Sequence, residues 1–254
     1  MRNMKGGCAM SALCLHIIAS CCMLLDHIGY LFPVFSPLRW IGRLAFPLYV
    51  FLLVNGYEHS SNRLRYALRM GLFALLSQIP FCLFCGYESY FTKGNVFFTL
   101  LIALLVLWAT DALAGQKKLR LLAPLPALAV FVLYHFGFLS TDYGAKGMLL
   151  ALCFFYLRKK PLLCLLGSFV ALFHTQLIAY AFQVKNLLLG STAVFALPDR
   201  WQLIQLFALA ALPLIFLYNG KKGKAPVSPL GKRTLQWGFY LFYPVHMMIL
   251  HLIA

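Results

Sequence analysis

The sequence predicts an all-α fold, a polytopic transmembrane helix bundle of about nine spans that forms a single domain over residues 1–254. The composition is 62% hydrophobic and only 11% charged, with a mean hydropathy of +0.82, whereas roughly a quarter of a soluble domain is charged. We expect each span to be a helix, because lipid cannot satisfy the hydrogen bonds of an open strand edge.

Nine apolar stretches, separated by short polar or basic loops, predict the spans in order. They run over 12–32, 40–57, 66–86, 96–113, 121–139, 144–157, 161–182, 201–218 and 235–253. A spanning helix needs about 20 residues, so the sixth stretch is short and the apolar segment 187–198 is too short to cross. We expect 187–198 to form a re-entrant or interfacial segment.

The basic residues predict the orientation. With Arg2 and Lys5 placed in the cytoplasm and every span crossing, most of the 22 lysines and arginines fall in inner loops, as the positive-inside rule requires. The exceptions near the outer side are Arg39, Arg43, Lys93, Lys146, Lys185 and Arg200. The amino terminus is therefore predicted inside and the carboxyl terminus outside.

The formal charge of +16 is explained by this topology rather than by nucleic-acid binding. A nucleic-acid binder gathers its basic residues on a solvated face, whereas here they lie in short runs between apolar stretches. We therefore expect a multi-pass protein of the cytoplasmic (inner) membrane, embedded in the lipid bilayer and without a nucleic-acid partner.

An ionisable dipeptide near the outer end of the first span, Asp26-His27, is the strongest candidate for chemistry, since charged groups in a span are costly and mark function. The imidazole of His27, with an ordinary pKa of about 6.5, can take a proton from an attacking amine or hydroxyl, as acyl transfer requires. Adjacent helical residues point about 100° apart, so we expect Asp26 to pair with a cation elsewhere.

The second span supplies such a cation. Arg39 and Arg43 are four residues apart and share a helix face, and Pro47 deprives the carbonyl of Arg43 of its helical hydrogen bond. We expect Arg43 to hold Asp26 or to stabilise the oxyanion of a tetrahedral intermediate. Snorkelling to the outer interface explains Arg39 better than Arg43.

Further polar residues are predicted on the same outer side. Asp142 and Tyr143 lie in the turn before the sixth span, where Asp142 either joins a site or caps the next helix. Asn95 opens the fourth span. In the last span, Tyr243 and His246 either line a polar cavity or include a buried, internally bonded histidine. All five are candidate substrate-binding residues.

The predicted inner end of the second span carries His59, followed by Arg63 and Arg69. Arginines facing the cytoplasm suit the phosphates of an acyl donor, although topology alone also places arginines there.

Cys82 and Cys85 form a lone C-x-x-C without the further ligands of a structural zinc site, and no metal is expected. The absence of a phosphate-binding loop, a nucleophile elbow and a dinucleotide fingerprint argues against an ATPase, an elbow-type serine hydrolase and a nucleotide-dependent dehydrogenase.

Six segments, in order along nearly the whole chain, resemble the TraX family, named for the enzyme that acetylates the amino terminus of conjugative pilin. They are MLLDHIGYLF (23–32), LRWIGRLAFPLYVFLLVNGYEH (38–59), RYALR (65–69), NVFFTL (95–100), TDYGAKG (141–147) and FYPVHMMIL (242–250). The resemblance implies an acetyl-CoA-dependent N- or O-acetyltransferase. It also implies a more distant similarity to the acyltransferase 3 and heparan-glucosaminide acetyltransferase group.

The combined prediction is an enzyme that moves an acetyl group from cytoplasmic acetyl-CoA to an amine or hydroxyl acceptor outside, with His27 as general base. The acceptor, which is a protein amino terminus, a sugar or a small amine, stays open, as does a homo-oligomeric state. Two other classes also stay open. Prolines and histidines in spans suit a secondary transporter, and a noncatalytic membrane assembly subunit is the third reading.

Overall fold

The computed structural model describes residues 10–90, 92–189, 199–223 and 228–254, and within these ranges the named secondary-structure elements are all helices. The α-helices are α1 (Ala12–Leu31), α2 (Leu38–Gly42), α3 (Ala45–His59), α4 (Arg63–Leu76), α5 (Gln78–Cys85), α6 (Val96–Ala114), α7 (Leu125–His135), α8 (Ala145–Leu157), α9 (Pro161–Leu188), α10 (Arg200–Ile204), α11 (Ala211–Phe216) and α12 (Pro229–Ile253). The predicted all-α class is confirmed.

Four helical segments of the described chain are long and apolar enough to cross a membrane, and a fifth is available if α4 and α5, which meet at a bend of 42°, form one broken span. The four are Ala12–Leu31, Leu38–His59, Val96–Ala114 and Pro161–Leu188. Shorter apolar helices occupy three other predicted stretches, at Arg120–His135, Ala145–Leu157 and Gln202–Phe216. The chain is therefore a multi-pass membrane protein, and the count of nine spans stays a prediction.

The last helix, α12, is 25 residues long, which at about 1.5 Å per residue exceeds a hydrocarbon core of about 30 Å. It is not among the four apolar spans because its tyrosines, its histidines and Pro244 make it more polar. Helix α9 continues through Leu188. The rest of the segment predicted to be interfacial, 190–198, lies outside the described residues.

Side-chain oxygen atoms cap the first turn of several helices, among them α1, α4 and α6. The hydroxyl of Ser11 accepts from the amide of Cys14 at α1 (3.2 Å), and the side chain of Asn62 accepts from the amide of Arg65 at α4 (2.7 Å). Asn95 caps α6 in the same way. Each cap satisfies a backbone N–H that has no partner within its own helix.

The second span is interrupted between α2 and α3, at Arg43 and Leu44. Pro47 has no N–H to donate to the carbonyl of Arg43, so the helical ladder is broken at the turn where the sequence predicts a kink. Arg43 ends α2 as its C-cap residue, with its own amide bonded to the carbonyl of Arg39 at 3.1 Å. The break places an arginine at an irregular, polar point of the span.

The loops gather at two ends of the bundle. At one end, here called the cavity end, the amide of Gly94 donates to the carbonyl of Ser140 and the amide of Asp142 donates to the carbonyl of Gly94, both at 2.9 Å. At the opposite end, Arg158 pairs with Glu58 at 2.6 Å. Which of these two ends faces the cytoplasm stays a prediction.

Helices α1 and α2 approach so closely at the cavity end that only glycine fits between them. A Cβ atom on Gly42 would overlap the side chain of Asp26, and one on Gly29 would lie 2.8 Å from Cγ of Arg39. The two glycines therefore let the carboxylate of Asp26 in α1 reach Arg39 in α2 and Arg43 at the end of α2.

Candidate active site

A cavity of about 320 Å³ opens among the helices at the cavity end, a volume within the range of small-molecule sites. Its wall brings together all three predicted catalytic residues and three of the predicted substrate-binding residues. These six are Asp26, His27, Arg43, Asp142, Tyr143 and Tyr243. The tertiary structure thus collects side chains from α1, the α2–α3 break, the α7–α8 loop and α12.

Asp26 forms an ion pair with Arg43, and its Oδ1 also lies 3.8 Å from Nε of Arg39. The side chains of Asp26 and Arg43 are only 13% and 14% exposed, so the pair is largely removed from water. The sequence predicts such a partner for Asp26, and the structure contains it. A buried carboxylate of this kind needs its cation, because an unpaired charge in a low-dielectric interior is strongly unfavourable.

His27 turns away from Asp26, as adjacent helical positions require, and reaches α12. Its Nδ1 lies 2.7 Å from Nε2 of His246, and its ring packs against that of Phe84 with centroids 4.8 Å apart. One edge of the imidazole is therefore engaged by α12, while the residue as a whole lines the cavity.

His246 determines which nitrogen of His27 carries the proton. Nδ1 of His246 lies 2.6 Å from the carbonyl oxygen of Phe242, and a carbonyl oxygen can only accept, so this nitrogen carries a hydrogen. In a neutral His246, Nε2 is then an acceptor, and Nδ1–H of His27 donates to it. The lone pair of His27 is left on Nε2, as a general base requires. His246 is 5% exposed and is not part of the cavity wall.

Asp142 does not cap α8, whose N-cap residue is Gly144. Instead its carboxylate lies 3.4 Å from Nζ of Lys93. Burial raises the pKa of Asp142, and the positive charges of Lys93 and Arg43 oppose that rise. Burial would lower the pKa of Lys93, but the facing carboxylate outweighs it and the pKa is raised. The pair joins the two loops that meet at the cavity end.

The aromatic wall residues are held by packing. Tyr143 stacks on Phe46 with ring centroids 3.5 Å apart, and its amide donates to the hydroxyl of Thr99 at 3.3 Å. Tyr243 packs edge-on against Phe97 at 5.3 Å and is 3% exposed. Both tyrosines therefore present fixed surfaces to the cavity.

Asn95 is placed elsewhere. It is completely buried, its Nδ2 donates to the carbonyl of Ala74 at 2.7 Å and to Oε1 of Gln78 at 2.9 Å, and its Oδ1 accepts from the amide of Phe97. It does not line the cavity. These bonds make Asn95 an anchor between α4, α5 and α6.

The three residues predicted to bind the donor also lie away from the cavity wall. Arg63 stacks over the ring of Tyr57 at 4.2 Å and pairs with Asp111 at 3.5 Å. His59 Nδ1 lies 2.8 Å from the carbonyl of Asn55. Arg69 stacks over its own neighbour on the helix, Tyr66, at 5.7 Å.

Two further lysines line the cavity, Lys93 and Lys146, although neither was predicted to belong to the site. A signal for them is present in the sequence: both are basic residues on the predicted outer side, where the positive-inside rule disfavours them. Among the described residues, no group of three or more histidine, cysteine, aspartate or glutamate side chains is arranged to hold a metal ion.

The fold and this cavity define a multi-pass membrane protein with an ionisable site between its helices. The family model described as "TraX protein" matches residues 11–254, so the chain belongs to the TraX family. The chain is also similar to the "Probable fimbrial assembly protein FimC, serogroup H1" of Dichelobacter nodosus, with 32% identity over 258 residues that cover 94% of each chain. No solved structure matches it.

Proposed function

We propose that this protein is a membrane-embedded acetyltransferase that moves an acetyl group from cytoplasmic acetyl-CoA to an amine or hydroxyl acceptor at the outer side of the membrane. Membership of the TraX family, which is associated with pilin acetylation and fimbrial assembly, supports this class of activity. The observation that carries the proposal is the pairing of His27 with His246, which leaves a basic nitrogen on the residue that lines the cavity.

In the proposed reaction, Nε2 of His27 takes the proton of the acceptor as the acceptor's nitrogen or oxygen attacks the thioester carbonyl. A bond from the acceptor to the acetyl carbon forms, the carbon–sulfur bond breaks, and the departing thiolate of coenzyme A receives the proton from His27. Atoms and charge balance without a metal or a redox partner. His246 acts through His27, by holding its Nδ1–H and thereby its tautomer and its orientation.

Arg43 is proposed to stabilise the oxyanion of the tetrahedral intermediate. It lines the same cavity as His27, and its side chain keeps 14% of its surface accessible. Asp26 holds the guanidinium of Arg43 in place but engages only some of its N–H donors. A fixed cation beside the reacting carbonyl stabilises the developing negative charge most strongly where water is excluded.

The proposed topology has nine spans with the amino terminus inside and the carboxyl terminus outside, in the cytoplasmic membrane where acetyl-CoA is available. His59, Arg63 and Arg69 are proposed to receive the donor phosphates at the inner face. Arg63 would then exchange its ion pair with Asp111 for a phosphate. In intact cells, an impermeant maleimide should label a cysteine introduced at exposed Tyr90 but not one introduced at exposed Lys118, which should be labelled only after the cells are opened.

The name of the relative from Dichelobacter nodosus, a probable fimbrial assembly protein, favours a second candidate, a noncatalytic subunit of fimbrial assembly. Single-turnover transfer from radiolabelled acetyl-CoA to pilin peptides, sugars and small amines separates the two. The acetyltransferase proposal expects transfer by the wild-type protein and its loss in His27→Ala. His251→Ala, which removes an exposed histidine of the last turn, serves as the matched control. Undiminished transfer by His27→Ala would remove His27 from its role, and absence of transfer to every acceptor would favour the assembly subunit.

A further inference from the structure

The cavity wall carries more positive than negative charge. The lining side chains that carry a formal charge at neutral pH are four basic ones, Arg39, Arg43, Lys93 and Lys146, and two carboxylates, Asp26 and Asp142. Asp26 is engaged by Arg43 and lies near Arg39, and Asp142 is engaged by Lys93. With both carboxylates engaged, the lining has a formal excess of two positive charges.

Of these four basic side chains, Lys146 differs from the others in having no ion pair with a carboxylate of the described residues. All six acidic residues of the chain lie within the described ranges, so an ion pair between any of them and Lys146 would be seen. Asp26 and Asp142 pair with other cations of the cavity, and Asp111 and Glu58 pair with arginines at the opposite end. The structure shows no ion pair for Lys146 within the described part of the chain.

The position of Lys146 makes this part of the cavity wall more positive still. It is the second residue of α8, in the first helical turn, where the helix dipole is positive and a basic side chain is unfavourable. The turn is fixed in place, because Gly147 packs so closely on α6 that a Cβ atom there would lie 2.5 Å from Cγ2 of Thr99. Lys146 is therefore held at the wall by the packing of its own helix, in a setting that favours an anion.

We propose that the cavity binds an oxyanion of the acceptor, a carboxylate or a phosphate, with Lys146 as its counter-ion. The assignment of the anion to the acceptor rests on the proposed acetyl transfer, whereas the binding of an oxyanion does not. The acceptor is then an amine or hydroxyl compound that carries its negative charge close to the nucleophile. Anchoring that charge at α8 would hold the nucleophile near His27, across the same cavity.

The binding of the anion is tested without turnover. Thermal unfolding of the purified full chain in detergent is measured with inorganic phosphate or acetate, against chloride at equal ionic strength. The wild-type protein should gain several degrees with at least one of the two oxyanions. Lys146→Gln should lose the gain, Lys146→Arg should keep it, and Lys118→Gln, at an exposed loop position, should behave as wild type.

An equal gain in Lys146→Gln, or no gain in the wild type with either oxyanion, would overturn the proposal. The unliganded melting temperature of each variant shows whether it folds.

The source of the anion is tested with acceptors matched in pairs, O-phosphoethanolamine against ethanolamine and alanine against alaninamide. The wild-type protein should prefer the anionic member of at least one pair about tenfold, the size of one charge-assisted hydrogen bond, and Lys146→Gln should abolish that preference. A raised KM for acetyl-CoA with an unchanged acceptor preference would assign the anion to the donor and overturn its assignment to the acceptor. Transfer to no acceptor at all would reject the proposed function, while the unfolding measurement would still decide whether Lys146 binds an oxyanion.

Discussion

His27 and His246 are 219 positions apart in the chain, yet Nδ1 of the first lies 2.7 Å from Nε2 of the second. Because the carbonyl of Phe242 requires a hydrogen on Nδ1 of His246, the pair has one arrangement of protons when both rings are neutral. The last helix of the chain therefore controls the protonation of a residue in the first. This relationship gives His246 a positioning role that its burial alone would not indicate.

Replacing His246 by leucine should remove the acceptor that holds Nδ1–H of His27. We expect the single-turnover rate to fall about 10- to 100-fold, by analogy with the loss of a partner that orients a metal-bound histidine, with little change in the KM of the acceptor. His246→Gln, whose side-chain oxygen can accept the same hydrogen bond, should recover part of the rate. A structural defect would instead lower the yield of folded protein in both variants. Equal rates for His246→Leu and wild type would contradict the positioning role.

Arg43→Gln should destabilise the fold because it removes the nearer cation of the buried carboxylate of Asp26 and leaves only Arg39, at 3.8 Å. Breaking one half of a buried ion pair typically lowers the free energy of unfolding by about 3–5 kcal/mol. The double variant Asp26→Asn/Arg43→Gln, which removes both charges, should be more stable than Arg43→Gln alone. Unfolding in mixed detergent micelles measures both effects. If the double variant is no more stable than the single one, the two side chains are not coupled.

Gly42→Ala should disturb the site, because its Cβ atom would overlap Asp26 and force α1 and α2 apart. We expect a large loss of acetyl transfer and a lowered melting temperature. Gly238→Ala is the matched control, since a Cβ atom there meets nothing within 4 Å and alanine is favoured over glycine in a helix by about 0.5–1 kcal/mol. The control should be as stable as the wild type or more stable. Similar behaviour of the two variants would show that the close approach at Gly42 has no functional role.

Asp142 should impose an acid limit on activity. Burial raises the pKa of its carboxyl above the ordinary value of 3.8, so the ion pair with Lys93 is lost at a higher pH than for an exposed aspartate. Protonation of Asp142 has the opposite effect on the stability of the fold. Because the folded protein binds this proton more tightly than the unfolded chain, protonation of Asp142 adds stability as the pH falls through its folded pKa.

Asp142→Asn should therefore fold at least as well as the wild type at neutral pH. Its acetyl transfer should be slower, and the fall in activity at low pH that comes from protonating Asp142 should be absent. The pH profile of single-turnover transfer and the melting temperature at several pH values measure the two effects. A marked loss of stability in Asp142→Asn at neutral pH would show that the pair with Lys93 outweighs the cost of burying the carboxylate.

Several features of the site follow from short-range rules and were accessible from the sequence. The spacing of Arg39 and Arg43 places both on one helix face, Pro47 breaks the ladder at Arg43, and a charged residue inside a span needs a partner. The pairing of Asp26 with Arg43 combines these rules. Asn95 shows the limit of such reasoning. A polar residue at the start of a helix can either cap the helix or bind a substrate, and only the residues around it in the fold show which of the two it does.

The sequence by itself determined that this is a helical, multi-pass membrane protein with an ionisable first span, because hydropathy and charge act locally and sum along the chain. Only the tertiary structure decided which distant side chains share the cavity. The contact of His27 with His246, and the lack of an ion pair for Lys146 within the described part of the chain, depend on how α1, α8 and α12 pack. Packing between helices far apart in sequence leaves no periodic pattern from which such neighbours can be read.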